Sequence, residues 1–117
     1  MITEIAFYVY PVSDMARARR FYEEVLNLKV ESNFGEEWIE YGICNGTFAI
    51  TTMDLEHKPG VHGGVIAFEV LELDLTLNRF KEMNVPFVRE LFATPVCRMA
   101  IVADPDGNHL IIHKRTA

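Results

Sequence analysis

The alternation of hydrophobic and polar residues in the first half of the chain predicts a strand, a helix and three further strands. The apolar run Ile5–Tyr10 is closed by Pro11, because proline cannot donate a hydrogen bond to a sheet. An apolar stripe at three- and four-residue spacing then predicts a helix that Ser13 or Asp14 caps and that ends at Asn27. The stripe consists of Met15, Ala18, Phe21, Tyr22, Val25 and Leu26. The later strands are Lys29–Ser32, Glu37–Ile43 and, after an Asn-Gly turn, Thr47–Thr52.

The second half repeats this order after a polar connector, Asp54–Gly64, that is rich in glycine and charge. Val65–Val70 predicts a strand and Leu73–Met83 a helix. The remaining predicted strands are Val85–Glu90, Arg98–Ala103 and His109–His113. Placing Asp74 on Asp14 also aligns several apolar residues of the two halves. The chain is therefore predicted to be α+β, with two β-α-β-β-β modules in tandem, at about residues 1–58 and 63–117.

The last two predicted strands are joined by Asp104-Pro105-Asp106-Gly107-Asn108. Proline presets φ, aspartate caps such a turn and glycine accepts a positive φ, so this segment predicts a hairpin. The chain resembles the vicinal-oxygen-chelate superfamily in four features. These are the turn, the two modules, the Val12-Ser13-Asp14 entry to the first helix and the Phe21-Tyr22 pair within that helix. Members of this superfamily include glyoxalase I, bleomycin-resistance proteins, fosfomycin-resistance enzymes and extradiol dioxygenases.

This resemblance covers essentially the whole chain and implies one domain, residues 1–117, whose two modules half-close around a shared cavity. It also implies a homodimer, since short members of the superfamily often pair.

Composition and charge narrow the classes of partner. The net charge of −6 argues against nucleic acid, which attracts clustered lysine and arginine. No apolar stretch approaches a membrane span, and the first residues lack the pattern of a signal peptide, so the expected compartment is the cytoplasm. Cys44 and Cys97 are too far apart in sequence for a zinc motif or a disulfide framework.

The resemblance implies four positions for metal ligands, because catalytic members hold a divalent ion with histidine and glutamate. Matched to this sequence, they fall at Phe7, at Thr51 (or Thr52), at Val65 and at Ile111. Three of these side chains have no donor atom, and a threonine hydroxyl is a poor ligand on its own. His62 is near the third position but has the wrong strand parity. We therefore expect no metal and no cofactor.

Three titratable side chains remain candidates for chemistry. His109 and His113 share a strand face with Ile111, and Glu69 is expected to face inward from its own strand. A carboxylate in an apolar cavity tends to have a raised pKa, as a general acid or base requires. The alternatives are that Glu69 pairs with Arg98, that His109 sits at the cavity mouth, and that His113 is solvated near the terminus.

Strand alternation also assigns Trp38 and Glu40 to the cavity, and Ile39 and Tyr41 to the side that a helix covers. An indole beside a carboxylate suits a flat or cationic ligand. A register shift of one residue would exchange the two pairs.

The favoured hypothesis is a metal-independent protein that binds a small organic molecule in an apolar, aromatic-lined cavity. The expected ligand-binding residues are Phe7, Trp38, Glu40, Thr51, Val65, Glu69, Arg98, His109, Ile111 and His113. The alternative is a lyase, isomerase or dioxygenase of the glyoxalase type, either metal-free with acid–base chemistry by Glu69, His109 or His113, or with an atypical metal site.

Overall fold

The computed structural model describes residues 1, 3–53, 57–61 and 64–116, and the chain divides into two compact units. The first unit is Met1–His62 and the second is Gly63–Ala117. Each unit contains one four-stranded sheet and helical structure that follows its first strand. The predicted α+β class and the order of elements in both modules are confirmed. No helix within the described ranges is long and apolar enough to cross a membrane.

The first unit starts with strand β1 (Tyr8–Pro11) and helix α1 (Met15–Arg19), which continues as a π-helical segment, Arg20–Val25. Strands β2 (Lys29–Phe34), β3 (Trp38–Ile43) and β4 (Gly46–Thr51) follow, in the sheet order β1-β4-β3-β2. Asp14 is the N-cap of α1, and its Oδ1 accepts a hydrogen bond from the Arg17 amide at 3.0 Å. Asn27, at φ 61°, lies in the left-handed region after the helix.

Two consecutive aromatic residues of the π-helical segment, Phe21 and Tyr22, are both buried. The Leu26 amide donates to the Phe21 carbonyl at 3.0 Å, a five-residue bond that widens the helical turn. The ring centroids of Phe21 and Tyr22 are 5.0 Å apart. The sequence pattern predicted the helix but not this local widening.

An aromatic cluster forms the core between the helix and sheet of the first unit. Tyr22 lies 6.2 Å from Tyr41 and 5.2 Å from Phe48, measured between ring centroids. The Tyr41 hydroxyl donates to Glu23 Oε2 at 2.9 Å. Burial, and then this bond to a carboxylate, raises the pKa of Tyr41. Ile39 and Tyr41 thus lie on the helix-covered side, as the alternation predicts.

The second unit contains β5 (Ile66–Glu69), α2 (Leu73–Glu82), β6 (Phe87–Ala93), β7 (Cys97–Ala103) and β8 (His109–Arg115). The sheet order is β5-β8-β7-β6. Helix α2 buries one stripe, and alternate residues of β7 and β8 are buried on one face of the sheet. These buried residues are Leu73, Leu77, Phe80, Ala100, Val102, Leu110 and Ile112. The cysteines are both free, with Cys97 buried and Cys44 exposed.

The turn between β7 and β8 is closed by the buried side chain of Asp104. Its Oδ1 accepts from the amides of Asp106 at 2.9 Å and Asn108 at 2.8 Å, while Oδ2 accepts from Asn108 Nδ2 at 2.8 Å. Gly107, at φ 83°, supplies the positive φ. The motif that carries the family resemblance is therefore a self-contained hairpin connection.

Candidate functional site

Each sheet has one face that its own helix covers and an opposite face, which we call its open face. We call the sheet of the first unit sheet 1 and that of the second unit sheet 2. The open face of sheet 1 carries Phe7 and Trp38, whose rings meet edge to face, with centroids 5.4 Å apart and planes at 88°. Trp38 Nε1 donates to Glu40 Oε2 at 3.0 Å, so the carboxylate fixes the indole. Trp38 and Glu40 therefore share the face opposite the core tyrosine, Tyr41. The result is an aromatic surface with an anionic group at its side.

Thr51, the matched position of the second metal ligand, is in register with Trp38 and is buried. Its Oγ1 donates to the Glu37 carbonyl at 2.7 Å and accepts from the Met53 amide at 3.0 Å. The hydroxyl is thus engaged by the backbone on both its donor and its acceptor side. Thr51 contributes to the end of strand β4 and offers little to a ligand.

A second carboxylate, that of Glu31, lies over Gly42 on the open face of sheet 1. A Cβ atom added at Gly42 would collide with the Glu31 carboxylate. The register of β2 and β3 shifts between Val30 and Ser32, which places Glu31 at a bulge. The position of Glu31 on this face could not be predicted from the sequence, because a bulge has no signature in the simple alternation of polar and apolar residues.

On the open face of sheet 2, Glu69 and His113 are register partners on β5 and β8. His113 Nδ1 and Glu69 Oε1 are 2.5 Å apart, and Glu69 Oε2 accepts from the Arg115 amide at 2.8 Å. The amide bond and then the histidine bond lower the pKa of Glu69. The expectation of a raised pKa for Glu69 is therefore wrong, because these bonds stabilise the charged carboxylate and the group is exposed to solvent.

The alternative for Glu69, a pair with Arg98, is also wrong. Arg98 Nη2 donates to Asp74 Oδ1, in helix α2, at 2.7 Å. Asp74 itself lies in the first turn of α2, whose N-cap is Glu72. Arg98 therefore extends toward the helix side of sheet 2, away from Glu69 and His113, and is not among the residues of the open face.

The Glu69 contact defines what His113 can do chemically. An ionised carboxylate only accepts hydrogen bonds, so His113 Nδ1 must carry the proton in the bond to Glu69. In neutral His113 this leaves Nε2 as an acceptor, and the side chain is 22% exposed. An imidazole oriented in this way can accept a hydrogen bond or a proton from a bound molecule.

The other predicted site residues occupy different environments. Ile111 is in register with Ala67 and Ile101, in the middle of the open face of sheet 2. His109, at the start of β8, is half-buried and in register with Ala103. Val65 precedes β5 and is 49% exposed. The predicted neighbour His62 lies outside the described residues. Over the described ranges, no group of three histidine, cysteine, aspartate or glutamate side chains is arranged to hold a metal ion.

Comparison with known families matches residues 4–112 to the glyoxalase/bleomycin resistance protein/dioxygenase superfamily. The chain belongs to this superfamily. No curated protein matches the chain. The antibiotic-binding protein TnmS3 from Streptomyces sp. CB03234 shares 22% identity over 98% of each chain, with a TM-score of 0.84. The superfamily fold is thereby shared at full length.

Two further solved structures share this superfamily fold. Lactoylglutathione lyase from Agrobacterium tumefaciens is 16% identical over 97% of this chain and 94% of its own, with a TM-score of 0.77. A glyoxalase/bleomycin resistance protein/dioxygenase from Alicyclobacillus acidocaldarius is 15% identical over 97% and 92%, with a TM-score of 0.75. The same fold thus occurs in a binding protein and in a lyase.

The residues present do not fit the metal of the catalytic superfamily members. Phe7, Val65 and Ile111 have carbon side chains at the matched positions, and the Thr51 hydroxyl is engaged by the backbone. A divalent ion needs several oxygen, nitrogen or sulfur ligands. We therefore derive no reaction step through a metal at these positions.

Proposed function

We propose that this protein is a metal-independent, small-molecule-binding member of the superfamily. The observation that carries the proposal is the contact between Phe7 and Trp38. The position matched to a metal ligand is occupied by an aromatic ring that packs on an indole 5.4 Å away. Aromatic rings provide a large apolar contact area for a flat organic ligand, and Glu40 and Glu31 add negative charge to the same face.

The structural relatives support binding as one of the functions that this fold accommodates. TnmS3 is an antibiotic-binding protein and has the highest of the three TM-scores given above, at 0.84. The lactoylglutathione lyase has the same fold, so fold alone does not separate the two functions. The identity of the residues at the matched metal positions favours binding.

The proposal predicts saturable binding of planar aromatic compounds to the open face of sheet 1. Trp38 is the sole tryptophan, so quenching of its fluorescence reports the binding directly. A panel of neutral, cationic and anionic aromatic compounds identifies the one that binds best. We expect Phe7→Ala to weaken the affinity for that compound about tenfold, which is about 1.4 kcal/mol of binding free energy. Tyr8→Ala is the matched control, because Tyr8 is similarly exposed but lies in register with the core residue Phe48.

Elemental analysis and melting scans with zinc, nickel, manganese and iron test whether the protein is metal-independent. A ligand that binds the native state raises its melting temperature. A stoichiometric metal with a clear metal-dependent rise would contradict the proposal and would favour a lyase or dioxygenase. We also propose that the protein acts in the cytoplasm as a homodimer.

A further inference from the structure

The open face of sheet 2 combines an oriented hydrogen-bond acceptor with an apolar surface. Glu69, His113, Met99 and Phe92 are in register across the four strands β5, β8, β7 and β6. The guanidinium of Arg89 stacks on Phe92 at 3.6 Å from the ring centroid. Adjacent strands are about 4.8 Å apart, so the surface from His113 to Phe92 is roughly 10 Å wide, which is the scale of a two-ring aromatic molecule.

The chemistry of this row restricts the group that it would recognise. Glu69 keeps the proton of neutral His113 on Nδ1, so Nε2 of the neutral imidazole accepts a hydrogen bond from a donor on the ligand. The negative charge of Glu69 next to the imidazole disfavours an anionic ligand group at this point. The neighbouring thioether of Met99 provides a soft apolar surface that suits an aromatic ring. A neutral hydroxyl on a flat ring meets both requirements.

We propose that His113, held by Glu69, accepts a hydrogen bond from the hydroxyl group of a flat aromatic ligand that packs over Met99. This inference goes beyond the proposed binding at the open face of sheet 1, because it assigns a ligand chemistry to the open face of sheet 2. Glu69 is a positioning residue, because it acts on the ligand through the tautomer of His113. Its second oxygen, bonded to the Arg115 amide, keeps the carboxylate in place.

The test compares 2-naphthol with its methyl ether, 2-methoxynaphthalene, by calorimetric titration of the full chain. The two probes share the ring system, but only the naphthol donates a hydrogen bond. The wild-type protein is expected to prefer 2-naphthol about tenfold, which is the usual contribution of one hydrogen bond. His113→Leu is expected to remove the preference and to retain binding of the ether. Lys114→Gln is the control, because Lys114 is on the same strand but pairs in register with Arg98, on the helix side.

Glu69→Gln provides a second variant that leaves His113 in place. The Gln carbonyl would accept from the Arg115 amide, so its NH₂ would face His113 Nδ1 and shift the imidazole proton to Nε2. The preference for 2-naphthol is expected to disappear, and ¹⁵N shifts of the imidazole are expected to report the exchanged tautomer. A role of Glu69 in stability alone would leave the tautomer unchanged.

The outcomes separate this inference from the proposed function. Equal binding of both probes by the wild-type protein, or an unchanged preference in His113→Leu, would overturn the assignment of His113 while the proposed function stands. Failure of 2-naphthol to bind would also overturn the assignment. The proposed function would then be decided by the aromatic panel and the Phe7→Ala variant.

Discussion

Among individual residues, Glu69 has a charge state that its neighbours help to set. One carboxylate oxygen contacts His113 and the other accepts from the Arg115 amide. Both contacts favour the ionised form, which lowers the pKa of Glu69. The folded protein therefore binds a proton at Glu69 less readily than the unfolded chain does.

This difference predicts a pH-dependent contribution of Glu69 to stability. Because the folded pKa is lowered, the contribution is complete above the ordinary value of 4.5 and is lost as the pH falls through the folded value. Glu69→Gln is expected to be less stable than wild type at about pH 7, with a smaller difference at about pH 3. Urea unfolding at both pH values measures this. Glu82→Gln removes another exposed carboxylate and serves as the charge-matched control, and a Glu69 difference that did not change with pH would contradict the prediction.

The strand faces of these residues could be predicted from the sequence, whereas their partners could not. Alternation placed Trp38 opposite Tyr41, and the register agrees because the spacing in a strand is fixed. The pairing of Glu69 with His113 depends on which strands are neighbours and on their register, and Arg98 was equally compatible with the sequence. The bulge at Glu31 could not be predicted either, because a bulge leaves no signature in the alternation of polar and apolar residues.

At the scale of elements, the two helices begin in different ways. Asp14 caps α1 with its side chain, whereas Glu72, the N-cap residue of α2, makes no side-chain cap bond. Asp74, which aligns with Asp14 in the sequence, lies within α2 and accepts a hydrogen bond from Arg98. Helices and strands were predictable because their patterns are local. Their ends were less so, and β8 continues to Arg115, beyond the predicted His113.

The different starts predict different effects of removing the two side chains. Asp14→Ala is expected to lower the free energy of unfolding by about 1 kcal/mol, because an amide of the first turn loses its acceptor. Glu72→Ala removes an acidic side chain from the N-cap position of α2 without removing a cap bond. Chemical denaturation of both variants measures the difference. Equal losses would show that the negative charge, and not the cap bond, provides the stabilisation.

At the scale of the whole molecule, each unit covers one face of its sheet with its own helix. The family match over residues 4–112 and the fold shared with TnmS3 over 98% of the chain both include the two units. The proposed ligand depends on side chains of the open faces, which at the matched positions differ from the metal-binding pattern of the catalytic members. This is why the fold could be predicted from the sequence while the ligand remained a hypothesis.

The proposed homodimer is a prediction at this scale. Sedimentation equilibrium is expected to give twice the chain mass of 13.4 kDa at micromolar concentration. Addition of the best aromatic compound is expected to maintain this mass. A measured mass equal to that of one chain at all accessible concentrations would contradict the homodimer. It would not affect the proposal of ligand binding, which is tested separately.

The π-helical segment Arg20–Val25 has a consequence for insertions and deletions. Its wide turn contains one more residue than a regular α-helical turn. Deleting one residue there would close the wide turn to a regular α-helical turn and would leave the residues after it on the same side of the helix axis. A deletion in the regular turn of α1 would instead rotate the following helical residues by roughly 100° and would take Phe21 and Tyr22 off the buried side. The wide turn is thus the place where this helix can lose one residue with the least change to its buried side.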